Sequence, residues 1–244
     1  MFIISLLLGT ENLDPSTCSL YTLGGKVIAI QFTPDIVRKG HLHRLFLPAL
    51  LHGGYFHLLV NLFFQLRAGF LMEKYFTTQK FAVIYIACAF GGSLLSACAQ
   101  VYRVSVGAST ALFGILGLYG CYFIYNWLSL GPGRNLNFLI YLFMVITSFS
   151  ISAAASNVDL AGHAGGFVTG LLVGLALLPD ELNKKWGYIR WTSLLLWSLL
   201  LCALAINLGT MNFTECDRFG YADRQGNYHS LYSDCSNMCE YYWK

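Results

Sequence analysis

Gly107-Ala108-Ser109-Thr110-Ala111-Leu112-Phe113-Gly114-Ile115-Leu116-Gly117-Leu118-Tyr119-Gly120 opens a run of apolar and small residues long enough to cross a bilayer, with a serine at its start. A second such run begins Ala161-Gly162-His163-Ala164-Gly165-Gly166-Phe167, and a third begins near His52, with His57 and Asn61 in its opening turns. A hydroxyl, two imidazoles and a carboxamide are costly in hydrocarbon unless they find each other or water. A serine and a histidine brought together that way make a nucleophile with its base.

The rest of the chain matches that setting. It is 56% hydrophobic and 11% charged, where a soluble domain carries roughly 25% charge. Lipid is therefore its main solvent. The net charge of +3 is spread out, with no basic run of the kind that binds nucleic acid. The 24 glycines and 18 phenylalanines suit tightly packed membrane helices.

A span needs about 20 apolar residues, and the pattern predicts spans at 52–72, 81–98, 107–126, 136–153, 161–178 and 189–209. Residues 1–9 are apolar but too short to cross, and no basic stretch marks a signal peptide. They read as the end of a curtailed first helix. The segment 10–47 holds Gly24-Gly25, Pro34, Arg38, Lys39 and Arg44, which argue for an irregular or interfacial element. From residue 210 the tail is polar, aromatic and cysteine-bearing.

Charge sets the expected orientation. Arg67, Lys74, Lys80, Arg134, Lys184, Lys185 and Arg190 fall on one side, and the short loops opposite hold only Arg103. The first side is then cytosolic. The long loop and the tail face the lumen or exterior, and with them Cys18, Cys216, Cys235 and Cys239. An even number of cysteines on an oxidising side is compatible with disulfides of unspecified pairing. Zinc ligation by the last three is the weaker alternative, because no CxxC or clustered histidines accompany them. Cys88, Cys98, Cys121 and Cys202 lie in apolar runs and read as small packing residues. Asn212-Phe213-Thr214 is a glycosylation sequon on the exterior side or a chance match.

In an antiparallel serpentine, alternate spans run the same way. Those beginning near residues 52, 107 and 161 all descend from the exterior face, so Ser109, His163, His57 and Asn61 should share one depth. Gly114, Gly117 and Gly120 on one span, and Gly162, Gly166, Gly170 and Gly174 on another, would let the backbones approach until short side chains touch. Generic helix packing would use the same glycines.

These blocks resemble the rhomboid family of intramembrane serine proteases, across nearly all of the apolar length. The resemblance runs through Arg44, His52-x4-His57-x3-Asn61, Gly69 and Glu73, then Gly107 to Gly114, then Ala161 to Phe167. It implies an all-α polytopic membrane helix bundle, with a rhomboid-like six-helix core over 1–178 and one further C-terminal transmembrane helix at 189–209. A lumenal tail, 210–244, follows. This six-plus-one layout resembles eukaryotic secretory-pathway or plasma-membrane members.

The resemblance also implies roles. Ser109 would be the nucleophile and His163 its general base, without a third acid, while His57, Asn61 and the Ser109 N–H would form the oxyanion hole. Gly107 would support the site. Phe113 occupies the place where the family stacks a ring on the imidazole, though a plain core phenylalanine fits equally. His52 would be a polar brace and Glu73 a capping charge. Asp159 is expected in a loop facing water. His43-Arg44 departs from the Trp-Arg of many rhomboids. Substrates would be single-pass transmembrane proteins, cleaved to release ectodomains after passing the span at 136–153, where Ser148, Ser150 and Ser152 soften an apolar wall. The Asn157–Leu160 connection would roof a wet cavity. No cofactor or metal is called for, the bilayer is the obligate partner, and the oligomeric state stays open. The alternative is a catalytically silent rhomboid-like pseudoprotease that binds membrane clients.

Overall fold

Three of the long apolar runs form helices whose side chains mostly face outward, and they enclose two shorter glycine-rich helices that carry the polar residues. The computed structural model describes residues 1–11, 13–15, 17–26, 41–99, 105–155, 158–177, 180–210, 220–222 and 228–230. Asn157, Arg103, the sequon at Asn212 and Cys216, Cys235 and Cys239 lie outside the described residues, as does the side chain of Cys18.

In chain order, α1 is Phe2–Leu8, β1 Thr10–Glu11, β2 Asp14–Pro15 and α2 Thr17–Thr22. Two 3-10 turns, Leu42–Leu45 and Leu47–Leu50, lead to α3, Tyr55–Phe76, which contains a π turn at Gln65–Gly69. Then come α4 (Thr78–Ala99), α5 (Ser109–Asn126), α6 (Arg134–Ala154), α7 (Leu160–Ala176) and α8 (Asp180–Thr210). Strands β3 (Gly220–Ala222) and β4 (Tyr228–Ser230) pair antiparallel, as do β1 and β2. The protein is an all-α polytopic helix bundle, with two minor hairpins among the described residues.

Helices α3, α4, α6 and the Gly187–Thr210 part of α8 are long and apolar enough to cross a membrane. The first predicted span, 52–72, is shifted: Gly53 and Gly54 stay outside the helix, which starts at Tyr55 and runs on to Phe76. Lys74, past the predicted end of the span, therefore lies inside α3. The last helix begins at Asp180, nine residues before the predicted 189, because polar Asp180 to Lys185 extend a helix that apolarity alone does not reveal.

Helices α5 and α7 are the interior pair, and α7 has only 17 residues. Protein rather than lipid covers them, so neither length nor apolarity is pressed to the transmembrane norm. A Cβ on Gly166 would lie 1.9 Å from the Thr110 carbonyl oxygen, and one on Gly170 2.0 Å from that of Gly114. The glycines allow backbone to touch backbone where lipid offers no hydrophobic drive for association. Beneath this contact Met72, Phe76, Ile84, Cys88, Ile115, Leu118 and Val173 form the core. A second cluster, Leu45, Leu94, Ala97 and Leu208, fastens α8 to α4 and to the turn at Leu42–Leu45.

Cys88 and Cys121 are buried packing residues, and Cys121 Sγ lies 3.2 Å from the Leu171 carbonyl. Cys202 does not fit the packing reading, since it is exposed on the outer face of α8.

Candidate active site

Ser109 is the first residue of α5, where backbone N–H groups have no acceptor within the helix. The loop before it turns at Gly107, with φ +128 and its N–H bonded to the Pro48 carbonyl at 2.8 Å. A Cβ there would sit 2.7 Å from His57 Cε1 and 3.4 Å from Asn61 Nδ2. Glycine is needed twice over, for the left-handed φ and for the space. The tight fit brings the start of α5 against the two side chains from α3.

His163 stands in the first turn of α7, buried, with Nε2 2.8 Å from Ser109 Oγ. Its ring lies flat on Phe113, with centroids 4.0 Å apart and planes 12° apart. Phe149 of α6 meets Phe113 edge-on, with ring centroids 5.0 Å apart. His163 Nδ1 lies 2.8 Å from Ser152 Oγ, also on α6. Asn61 is 5% exposed, yet among the described residues its Nδ2 has no acceptor. A buried amide donor left open is costly unless a ligand oxygen completes it. His52 packs edge-on against His57 at 5.4 Å, and its Nε2 is likewise unbonded among the described residues.

Asp159 corrects the expectation of a loop carboxylate in water. It is 8% exposed and caps α7, its Oδ1 accepting the Gly162 N–H at 2.8 Å. Its Oδ2 accepts from the Ser96 hydroxyl, which in turn accepts from Lys26 Nζ; the ammonium is 3.9 Å from the carboxylate. Lys26 also pairs its backbone with Ser105, just before Gly107. One polar knot thus joins the first loop, the end of α4, the approach to α5 and the cap of α7. Arg44 supports the same loop by donating to the Gly25 carbonyl at 2.9 Å.

Lys26 and Asp159 lie outside the spanning helices. Burial pulls the Lys26 ammonium down to about 8, against the attraction of Asp159. Burial pushes the Asp159 carboxyl up, but Lys26, the Ser105 and Ser96 hydroxyls and the Gly162 N–H together hold it below its ordinary value. The signs follow from linkage. The cost of burying the Lys26 cation is full below about pH 8 and fades above it, towards 10.5, where the unfolded lysine also loses its proton. The contribution of Asp159 is full above 3.8 and is lost as pH falls through its lower folded value.

Asp159→Asn keeps the cap acceptor and strands the cation. We expect it to cost about 3 kcal/mol in thermal unfolding in micelles. Lys26→Met/Asp159→Asn should recover part of that loss, and both variants should lack the acid limb set by Asp159.

The sequence singles out Ser109, His163, His57, Asn61, Gly107, Phe113 and His52 as candidates, and the fold draws them to one end of α3, α5 and α7. Lys26 is not among them, and Ser152 is given only a softening role. Neither has a local signal: each gains its partner from a segment at least 11 residues away in sequence.

A bundle of lipid-facing helices around a recessed cluster of serine, histidine and amide is an integral membrane protein organised about a polar site. Residues 39–180 match the Rhomboid domain, and the chain belongs to the rhomboid family. It is similar to Rhomboid-like protease 1 of Toxoplasma gondii, 35% identical over 79% of this chain and 64% of the relative. RHOMBOID-like protein 1 of Arabidopsis thaliana is 31% identical over 73% of this chain and 43% of its own length. Rhomboid-like protease 2 of Toxoplasma gondii is 30% identical over 78% and 66%. The chain thus spans less than two thirds of the length of each of these relatives.

Proposed function

We propose that the protein is an intramembrane serine endopeptidase that cleaves transmembrane segments of single-pass membrane proteins with Ser109 and His163. The observation that carries this reading is the 2.8 Å contact between Ser109 Oγ and His163 Nε2, inside a helix bundle and beside an unsatisfied buried amide.

In this reading Ser109 Oγ attacks the scissile carbonyl as His163 Nε2 takes its proton. The oxygen that becomes negative is met by Asn61 Nδ2, His57 and the Ser109 N–H. His163 then gives its proton to the departing amine, and a water repeats the sequence on the acyl-enzyme. A substrate helix hides its peptide bonds in its own hydrogen bonds, so segments with helix-breaking residues are preferred. They reach the site past α6, whose outer face is apolar. The site lies toward the lumenal or extracellular side, given the positive charge at the opposite ends of the helices.

The test is a fluorophosphonate probe together with cleavage of a helix-destabilised reporter in liposomes. Labelling of the wild type but not of Ser109→Ala supports the reading. An unlabelled, inactive wild type sinks it and leaves a client-binding relative without proteolysis. Asn61→Ala should lower kcat by about 10²–10³-fold, with KM little changed, because the donor acts on charge that develops only in the transition state.

A further inference from the structure

Resting on the proteolytic reading, we propose that Ser152 is a positioning residue. Its hydroxyl accepts the Nδ1–H of His163, keeps the Nε2 lone pair on Ser109, and makes that alignment depend on the seating of α6.

The argument is a count of protons. Ser152 Oγ has one hydrogen and two near partners: the Ser148 carbonyl at 2.8 Å, which can only accept, and His163 Nδ1 at 2.8 Å. With the hydroxyl hydrogen on Ser148, the bond to the ring forms only if Nδ1 is the donor. Nε2 is then bare, 2.8 Å from the Ser109 hydroxyl. The bonds run one way, from Ser109 to His163 to Ser152 to Ser148. The reversed arrangement, with Ser152 donating to Nδ1, puts the hydrogen on Nε2 and removes the base. Ser152 is 4% exposed and His163 6%, so solvent does not compete freely for either atom. Asp159 does not serve this role: its carboxylate accepts from Gly162, Ser96 and Ser105, while His163 Nδ1 meets Ser152.

The placement on α6 gives the contact its second meaning. Of this 21-residue helix only Tyr141 and Ser152 are buried. Tyr141 packs on Phe123 near the far end, while Leu136, Leu139, Phe143, Ile146 and Ile151 point outward. At the site end α6 is seated by Ser152 on the imidazole and by Phe149 on Phe113 and Phe167. Moving that end of α6 outward takes the acceptor away from His163.

The experiment compares Ser152→Thr, which keeps the hydroxyl, with Ser152→Val, its near-isostere without one. We expect Thr to stay within about threefold of wild-type kcat. Val should lose about tenfold at unchanged KM, as one neutral hydrogen bond would give. Nitrogen-15 NMR of His163 in the wild type should show Nδ1 protonated and Nε2 bare, with the preference weakened in Val. Equal losses in Thr and Val, or a wild-type ring protonated on Nε2, would overturn the proposal. Wild type that fails to react with fluorophosphonate while retaining the Nδ1–H ring counts against the proteolytic reading and leaves the role of Ser152 standing.

Discussion

In the proteolytic reading, Ser109→Ala and His163→Ala should each lower turnover of a helix-destabilised reporter by about 10⁵–10⁶-fold, and the double variant should be no worse than either. The expectation rests on one shared proton. Ser109 Oγ without His163 is a neutral alcohol, and His163 without Ser109 has nothing to activate. Additive losses would mean that the two side chains act separately, despite their 2.8 Å contact. The measurement is reporter cleavage in liposomes, with the melting midpoint of each variant as a control. His163→Ala also empties the space above Phe113, so some of its effect falls on stability.

The second large effect comes from residues that touch no substrate. Gly166→Ala and Gly170→Ala each push a methyl into backbone, 1.9 Å from the Thr110 oxygen and 2.0 Å from that of Gly114. Neither carbonyl can rotate away, since both belong to α5. The helices must separate, and the Ser109–His163 distance opens with them. A displacement of about 1 Å is enough to cost 10²-fold in rate, so we expect cleavage to fall by at least that much along with the melting midpoint. Gly187→Ala is the matched control: among the described residues nothing lies within 4 Å of the added carbon, and alanine suits a helix interior better than glycine. Its cleavage should equal the wild type. If Gly166→Ala behaves like Gly187→Ala, the close approach of α5 and α7 is not what aligns the pair.

The helices were readable because lipid imposes a simple rule of length and apolarity, and α4 and α6 lie within a few residues of the predicted 81–98 and 136–153. Helix ends were less readable. The first span begins at Tyr55 rather than 52 because Gly54 interrupts it, and α8 begins at Asp180 because polar residues also form helix. Ser109 and His163 were legible for a physical reason: polar groups at the mouths of apolar runs need partners. Asp159 was misjudged by the same logic used in reverse. A carboxylate between spans belongs in water unless a cation meets it, and Lys26 lies 133 residues earlier, across a fold that spacing does not reveal. Ser152 was hidden because a serine on a lipid-facing helix is common, and only the assembled bundle puts it on the imidazole.

With its outer face against acyl chains and two buried side chains holding it inward, α6 has the bilayer as its main neighbour. Lateral pressure and chain length therefore bear on the same imidazole that Ser152 touches. In the proteolytic reading, activity measured in a thick, ordered membrane and in a thin, fluid one would then be a property of the solvent as much as of the polypeptide.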